Sequence, residues 1–367
     1  MNGKLPGLNG LRAIAAILVL FIHTYEIAGL SGDSGAAEFY DRFKYIGQDM
    51  VNLFFVISGF IITYILYKER AVTGTVSLKM FYIKRFLRIW PLYFGLLILG
   101  YLLMIGTDVY AQFPVLNQRG ILLLMTFLVT IAPLGPYTSF SVFPHYWSLS
   151  VEEQYYIVWP YIFKKLKGRA VLTSALVIIL GMILLRNGFE YLRDRHPDPA
   201  SVWAGLSSLF MRSKFGSIAI GVIGAYMLFH RSAYLKWIYS KSVQVAALLI
   251  FLAIIFFGYY IPYVHFEATA IVYLVLILNV TSNPAPLISF ENKFLDHAGK
   301  ISYGIYMFHW LVIPVVVYGV KKANLWETFI AAEQLPLLGL GFLATYGMAT
   351  LSFNTLERYF LKMKPAH

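Results

Sequence analysis

Ten runs of roughly twenty predominantly apolar residues follow one another along the chain, each able to cross a hydrocarbon layer about 30 Å thick at about 1.5 Å per helical residue. A backbone in lipid must satisfy its own N–H and C=O groups, so a chain of this kind folds as a helical bundle. The expected fold is all-α and polytopic, a single transmembrane domain over 1–367. Spans are expected near 8–29, 48–67, 81–105, 146–163, 171–188, 206–229, 242–259, 265–281, 299–319 and 335–356. Segment 119–133 is apolar but short, and the stretch APLGPYTSFSVFP that overlaps its end carries Pro and Gly. It is expected to be a re-entrant or interfacial helix. A full span there would move the basic block KKLKGR at 164–169 to the outer side, against the bias that keeps basic loops cytoplasmic. Ten spans place both termini on one side, and the same bias makes that side cytoplasmic. Lys4 and Arg12 flank the first run with no small-residue cleavage site after it, so that helix is expected to stay.

Composition agrees with a membrane protein. Hydrophobic residues are 59% and charged residues 13%, about half the roughly 25% of a soluble domain. With no cysteine, disulfides and thiolate chemistry are excluded. The net charge of +12 fits basic inner loops and argues for no nucleic-acid partner. No histidine pair has zinc-site spacing and no Gly-rich phosphate loop appears, so no metal or nucleotide-hydrolysing site is expected.

The chemistry must come from ionisable groups inside apolar runs. Arg12 and His23 lie eleven residues apart in the first span, which returns them to one helix face at depths about 16 Å apart. Lys84, Arg85 and Arg88 open the third span. Arg85 and Arg88 are i, i+3 neighbours suited to phosphate oxygens, or equally to anchoring against anionic headgroups. Pro91 follows and is expected to bend the helix. Glu152, Glu153 and Gln154 enter the next span. Residue counting puts Glu152 at the depth of His23, where it either supports that imidazole as a base or pairs with an arginine such as Arg212. His309, with Tyr303 and Tyr306 at helical spacing, repeats the isolated imidazole. Ser58 beside Gly59 reads as a packing serine more than a nucleophile, and His145 and His265 look interfacial.

Taken together, LNGLRAIAAILVLFIH, FFVISGFIIT, IKRFLRIWPLY, WSLSVEEQYYIVWP, ISYGIYMFHW and LERYF resemble the membrane acyltransferase 3 family of integral membrane O-acyltransferases almost end to end. Asn52 departs from it, where many relatives carry an aspartate, and no appended periplasmic hydrolase-like domain is expected. The resemblance implies transfer of an acyl group, commonly acetyl, from cytoplasmic acyl-coenzyme A to a hydroxyl of a carbohydrate or lipid-linked glycan at or beyond the outer half of the membrane. No tightly bound cofactor is implied. Arg85, Arg88, Lys84 and Arg12 would hold the donor, and His23 would act as general base or transient acyl carrier with Glu152 orienting it. Glu153, Gln154, Ser58, Tyr306 and His309 would contact substrate. The expected compartment is the bacterial inner membrane, in contact with its lipid. A rival from another class is a transporter or flippase for a glycan or lipid-linked substrate, but no second copy of the Arg12 to His23 pattern or of WSLSVEEQ supports it.

Overall fold

A computed structural model describes residues 5–135, 138–199 and 201–364, and Lys4 lies outside them. Every expected span is helical, and no strand occurs among the described residues. The helices are α1 Leu8–Leu30, α2 Ser34–Thr73, α3 Leu78–Gly106, α4 Gln118–Met125, α5 Tyr146–Lys165, α6 Arg169–Arg195, α7 Val202–Arg212 and α8 Phe215–Phe229. They continue with α9 Lys241–Phe257, α10 His265–Ser282, α11 Ser302–Lys322 and α12 Leu335–Ser352. Eight helical segments are long and apolar enough to cross a membrane, with α7 and α8 together forming one of them. Of the remaining expected spans, α9 is 17 residues and α5 carries Glu152, Glu153, Lys164 and Lys165. The protein is an integral membrane protein.

Three boundaries differ from the hydropathy reading, each for a local reason. Helix α2 begins fourteen residues early, because Asp33 caps it by accepting from the Ala36 amide at 3.1 Å and its polar first turns form a helix without lipid. The expected span 206–229 breaks at Ser213 and Lys214, where the Ser213 hydroxyl donates to the Leu209 carbonyl at 2.9 Å and competes with the backbone ladder. The last span widens into a π turn at Phe353–Glu357. Helix α3 runs through Pro91.

Helix α2 is the axis of the bundle, packed along α1 on one side and α8 on the other. A Cβ on Gly59 would strike the Ile218 carbonyl and one on Gly221 the Val56 carbonyl, so these two glycines let α2 and α8 touch backbone to backbone. Segment 119–133 is not a span. Helix α4 turns back at Phe127, whose φ of 55° lies in the left-handed region, into a 3-10 turn at Val129–Leu134. The turn is wedged against α3 and α5. The Phe127 ring packs on Tyr93 at 4.5 Å and Trp90 at 5.5 Å, while the Gln154 amide donates to the Phe127 carbonyl at 2.9 Å and to Thr130 at 3.0 Å. The segment is a short helix and a 3-10 turn packed on the bundle.

Candidate functional site

Two cavities lie along α1, on either side of a wall built by Val51 and Tyr306, the residues that line both. The first, about 180 Å³, lies toward the N-terminal ends of α1, α3 and α11. Five aliphatic side chains of α2, Val51, Ile57, Ile61, Ile62 and Ile65, line it, and three guanidiniums, Arg12, Arg85 and Arg88, face it. Glu152 is the one carboxylate in its lining. Both Glu152 oxygens are engaged, accepting from Ser58 at 3.0 Å and from Tyr156 at 2.8 Å, with Arg12 and Arg85 within electrostatic reach. Three cations against one carboxylate leave the cavity short of negative charge, and in a low-dielectric surround that deficit favours an anionic occupant. Lys84 and Lys364 extend the positive field. Burial and the facing Arg88, Arg85 and Lys84 cations push the Lys364 ammonium down to about 8.

The second cavity, about 480 Å³, is more polar and holds His23, Glu26, Tyr40, His145 and Trp310. Its hydrogen bonds assign a tautomer. A backbone carbonyl only accepts, so the 2.6 Å contact between His309 Nδ1 and the Tyr306 carbonyl places a proton on that nitrogen. Neutral His309 then accepts at Nε2, and its 2.8 Å contact makes His23 Nδ1 the donor. His23 Nε2 is left with its lone pair, 3.8 Å from the Glu26 carboxylate. A base so held can take a proton, and Glu26 stabilises the imidazolium that results. The wall is latched: the Tyr306 hydroxyl meets Ser148 at 2.6 Å and donates to the His145 carbonyl at 3.1 Å.

Residues 5–353 match the family described as an acyltransferase domain. The chain belongs to this family. It is 27% identical to the peptidoglycan O-acetyltransferase OatA of Listeria monocytogenes over 96% of its own length and 55% of the relative's. Identity is 26% to a putative O-acetyltransferase of Staphylococcus aureus, over 85% and 51%, and 25% to the putative peptidoglycan O-acetyltransferase YrhL of Bacillus subtilis, over 96% and 54%. The chain spans about half the length of the curated relatives it matches. No solved structure matches it.

Within this acyltransferase domain the residues singled out from sequence fall into three groups. Arg12, Arg85, Arg88, Ser58, Glu152 and Tyr306 line the first cavity, and His23 lies in the second with His309 bonded behind it. Glu153 and Gln154 line neither: Glu153 accepts from the Trp90 indole at 3.1 Å, and Gln154 pins the turn at Phe127 and Thr130. The expected pairing of Glu152 with His23 is corrected, because the two occupy different cavities and His309 takes the place at His23. Arg212 is not the partner of Glu152 either, since it lines the second cavity. Ser58 ties α2 to α5, its hydroxyl donating to Glu152 at 3.0 Å and meeting the Tyr156 hydroxyl at 3.1 Å, while Gly59 gives the close approach to α8. His145 and His265 do sit at helix ends, before α5 and at the start of α10, and both are buried inside the protein: His145 is 3% exposed beside His309, and His265, 1% exposed, lies 3.0 Å from the Asp49 carboxylate. Asn52 donates to the Phe266 carbonyl and to Thr269. Glu26 and Tyr156 were overlooked, although each follows a singled-out residue, His23 or Glu152, at i+3 or i+4 on the same helix.

Proposed function

We propose that this domain is an O-acetyltransferase in which acyl-coenzyme A occupies the arginine cavity and a carbohydrate or lipid-linked glycan hydroxyl enters the His23 cavity. The observation that carries the reading is the oriented His23 Nε2 on one side of a thin wall and, on the other, three arginines that face a single carboxylate. Arg85 and Arg88, with Lys84 and Lys364 beside them, bind the donor phosphates. The aliphatic wall of α2 accommodates the pantetheine arm, and the distance of about 16 Å along α1 from Arg12 to His23 is comparable with its reach.

For transfer, the thioester passes the Tyr306 wall. His23 Nε2 takes the acceptor proton as the hydroxyl oxygen bonds to the thioester carbonyl carbon. The carbon–sulfur bond then breaks, and the departing thiolate takes the proton back from His23. Products are the ester and free thiol, with Glu26 stabilising the transient imidazolium. The basic ends of α1, α3 and α5 support a donor side facing the cytoplasm, in a bacterial inner membrane.

The test is acetyl transfer from labelled acetyl-coenzyme A by purified wild type and His23→Ala. The variant should retain donor binding and lose about 10² to 10⁴-fold in rate, the usual contribution of a positioned base. Near-normal turnover excludes the mechanism.

A further inference from the structure

The second cavity contains a feature the transfer chemistry does not use. At the break between α7 and α8, Lys214 is 4% exposed and lines the cavity, with Arg212 two residues before it in the same lining. Two buried carboxylates, Glu267 and Asp49, attract Lys214, but neither is within ion-pair distance of it. Glu267 is held by Arg186 at 2.6 and 3.1 Å, and Asp49 by His265 at 3.0 Å. The Lys214 ammonium is left with the Met211 carbonyl at 2.5 Å and the face of the Phe266 ring. Among the described residues neither Lys214 nor Arg212 has a carboxylate within ion-pair distance. Arg212 is exposed, but Lys214 is buried, and a buried ammonium with no carboxylate in contact is costly; inside a membrane protein such a group marks a substrate contact.

We infer that Lys214 and Arg212 form an anion subsite of the acceptor cavity, so that the acceptor carries a carboxylate or phosphate on the same molecule as the hydroxyl presented to His23. The inference rests on the second cavity being the acceptor site. It adds a requirement for negative charge that neither the histidine nor the donor arginines impose. A uronic-acid sugar and a sugar on a lipid diphosphate share this chemistry. A Lys214 held as the neutral amine would need no anion, and direct binding separates the two cases.

The experiment is calorimetric titration of the full chain in lipid nanodiscs with glucuronate and with inorganic phosphate, with acetyl-coenzyme A present to saturate the donor arginines. Lys214→Met and Arg212→Gln serve as variants, and thermal unfolding checks that each is folded. Wild type should bind at least one of the two anions, and each variant should bind it at least about tenfold more weakly, as expected for loss of a charge-assisted contact. Preference for glucuronate assigns the charge to the sugar, and preference for phosphate assigns it to the lipid carrier. Wild type that binds neither, or folded variants that bind as wild type does, overturn the subsite. The transferase reading stands or falls separately, on loss of transfer in His23→Ala.

Discussion

His309 is where the proposed base is most sharply exposed to test. Its Nδ1 proton is committed to the Tyr306 carbonyl at 2.6 Å and its Nε2 accepts from His23 at 2.8 Å. Replacing it by Phe keeps a ring of similar size and removes the acceptor. The His23 Nδ1–H is then a buried donor with no partner, a state that costs about 1 to 3 kcal/mol. The imidazole escapes that cost by moving its proton to Nε2, which turns the base into a donor. At about 1.4 kcal/mol per tenfold, kcat/KM should fall by about 5- to 150-fold. Donor affinity should not change, because the arginines lie in the other cavity. His309→Gln offers a carbonyl oxygen near the place of Nε2 and should recover a large part of the loss. The assay is transfer from labelled acetyl-coenzyme A in nanodiscs, with donor binding measured alongside. Wild-type kcat/KM in His309→Phe, or equal activity of the Phe and Gln variants, would refute the tautomer argument.

Three further outcomes follow from the two cavities. Tyr306→Ala removes the wall and its latch to Ser148, so water should reach the thioester and the ratio of acetyl-coenzyme A hydrolysis to transfer should rise at least about tenfold; an unchanged ratio contradicts a partition there. Arg88→Ala should raise KM for acetyl-coenzyme A by about tenfold or more, yet barely affect a short pantetheine thioester that lacks the nucleotide phosphates; equal impairment with both donors would make Arg88 a structural anchor. Lys364, with its ammonium pushed down to about 8, gains charge as pH falls through that value, so affinity for the anionic donor should strengthen from pH 9 to pH 7. Lys364→Gln should flatten that part of the profile, and a profile like wild type removes Lys364 from the donor mouth.

Sequence periodicity was enough to find the spans and the two-depth arrangement of Arg12 and His23, because both depend only on rise and turn along one helix. It was not enough to pair side chains across helices. Glu152 was assigned to His23 from matching depth, but depth leaves open which way α5 faces, and its rotation points Glu152 at Ser58 on α2. His309 carried the signal of an isolated imidazole without saying which residue it meets, since that depends on α11 lying beside α1. His265 looked interfacial because it opens the span expected at 265–281. The Asp33 cap carries the helix back to Ser34, and Asp49 then lies well inside a long helix against His265. The break at Ser213 and Lys214 was hidden in an apolar run, where hydropathy averages over a serine back-bond. Glu26 was legible, a carboxylate one turn from His23 in a membrane helix.

The central claim is that donor and acceptor meet from opposite cavities across one wall. It is tested most directly in sealed proteoliposomes of uniform orientation, with acetyl-coenzyme A, which does not cross the bilayer, supplied only on the Arg85 side and a glycan acceptor only on the other. Ester should accumulate on the acceptor side, free thiol should appear on the donor side, and both should vanish in His23→Ala. Product that forms only when donor and acceptor share the Arg85 side would contradict the account.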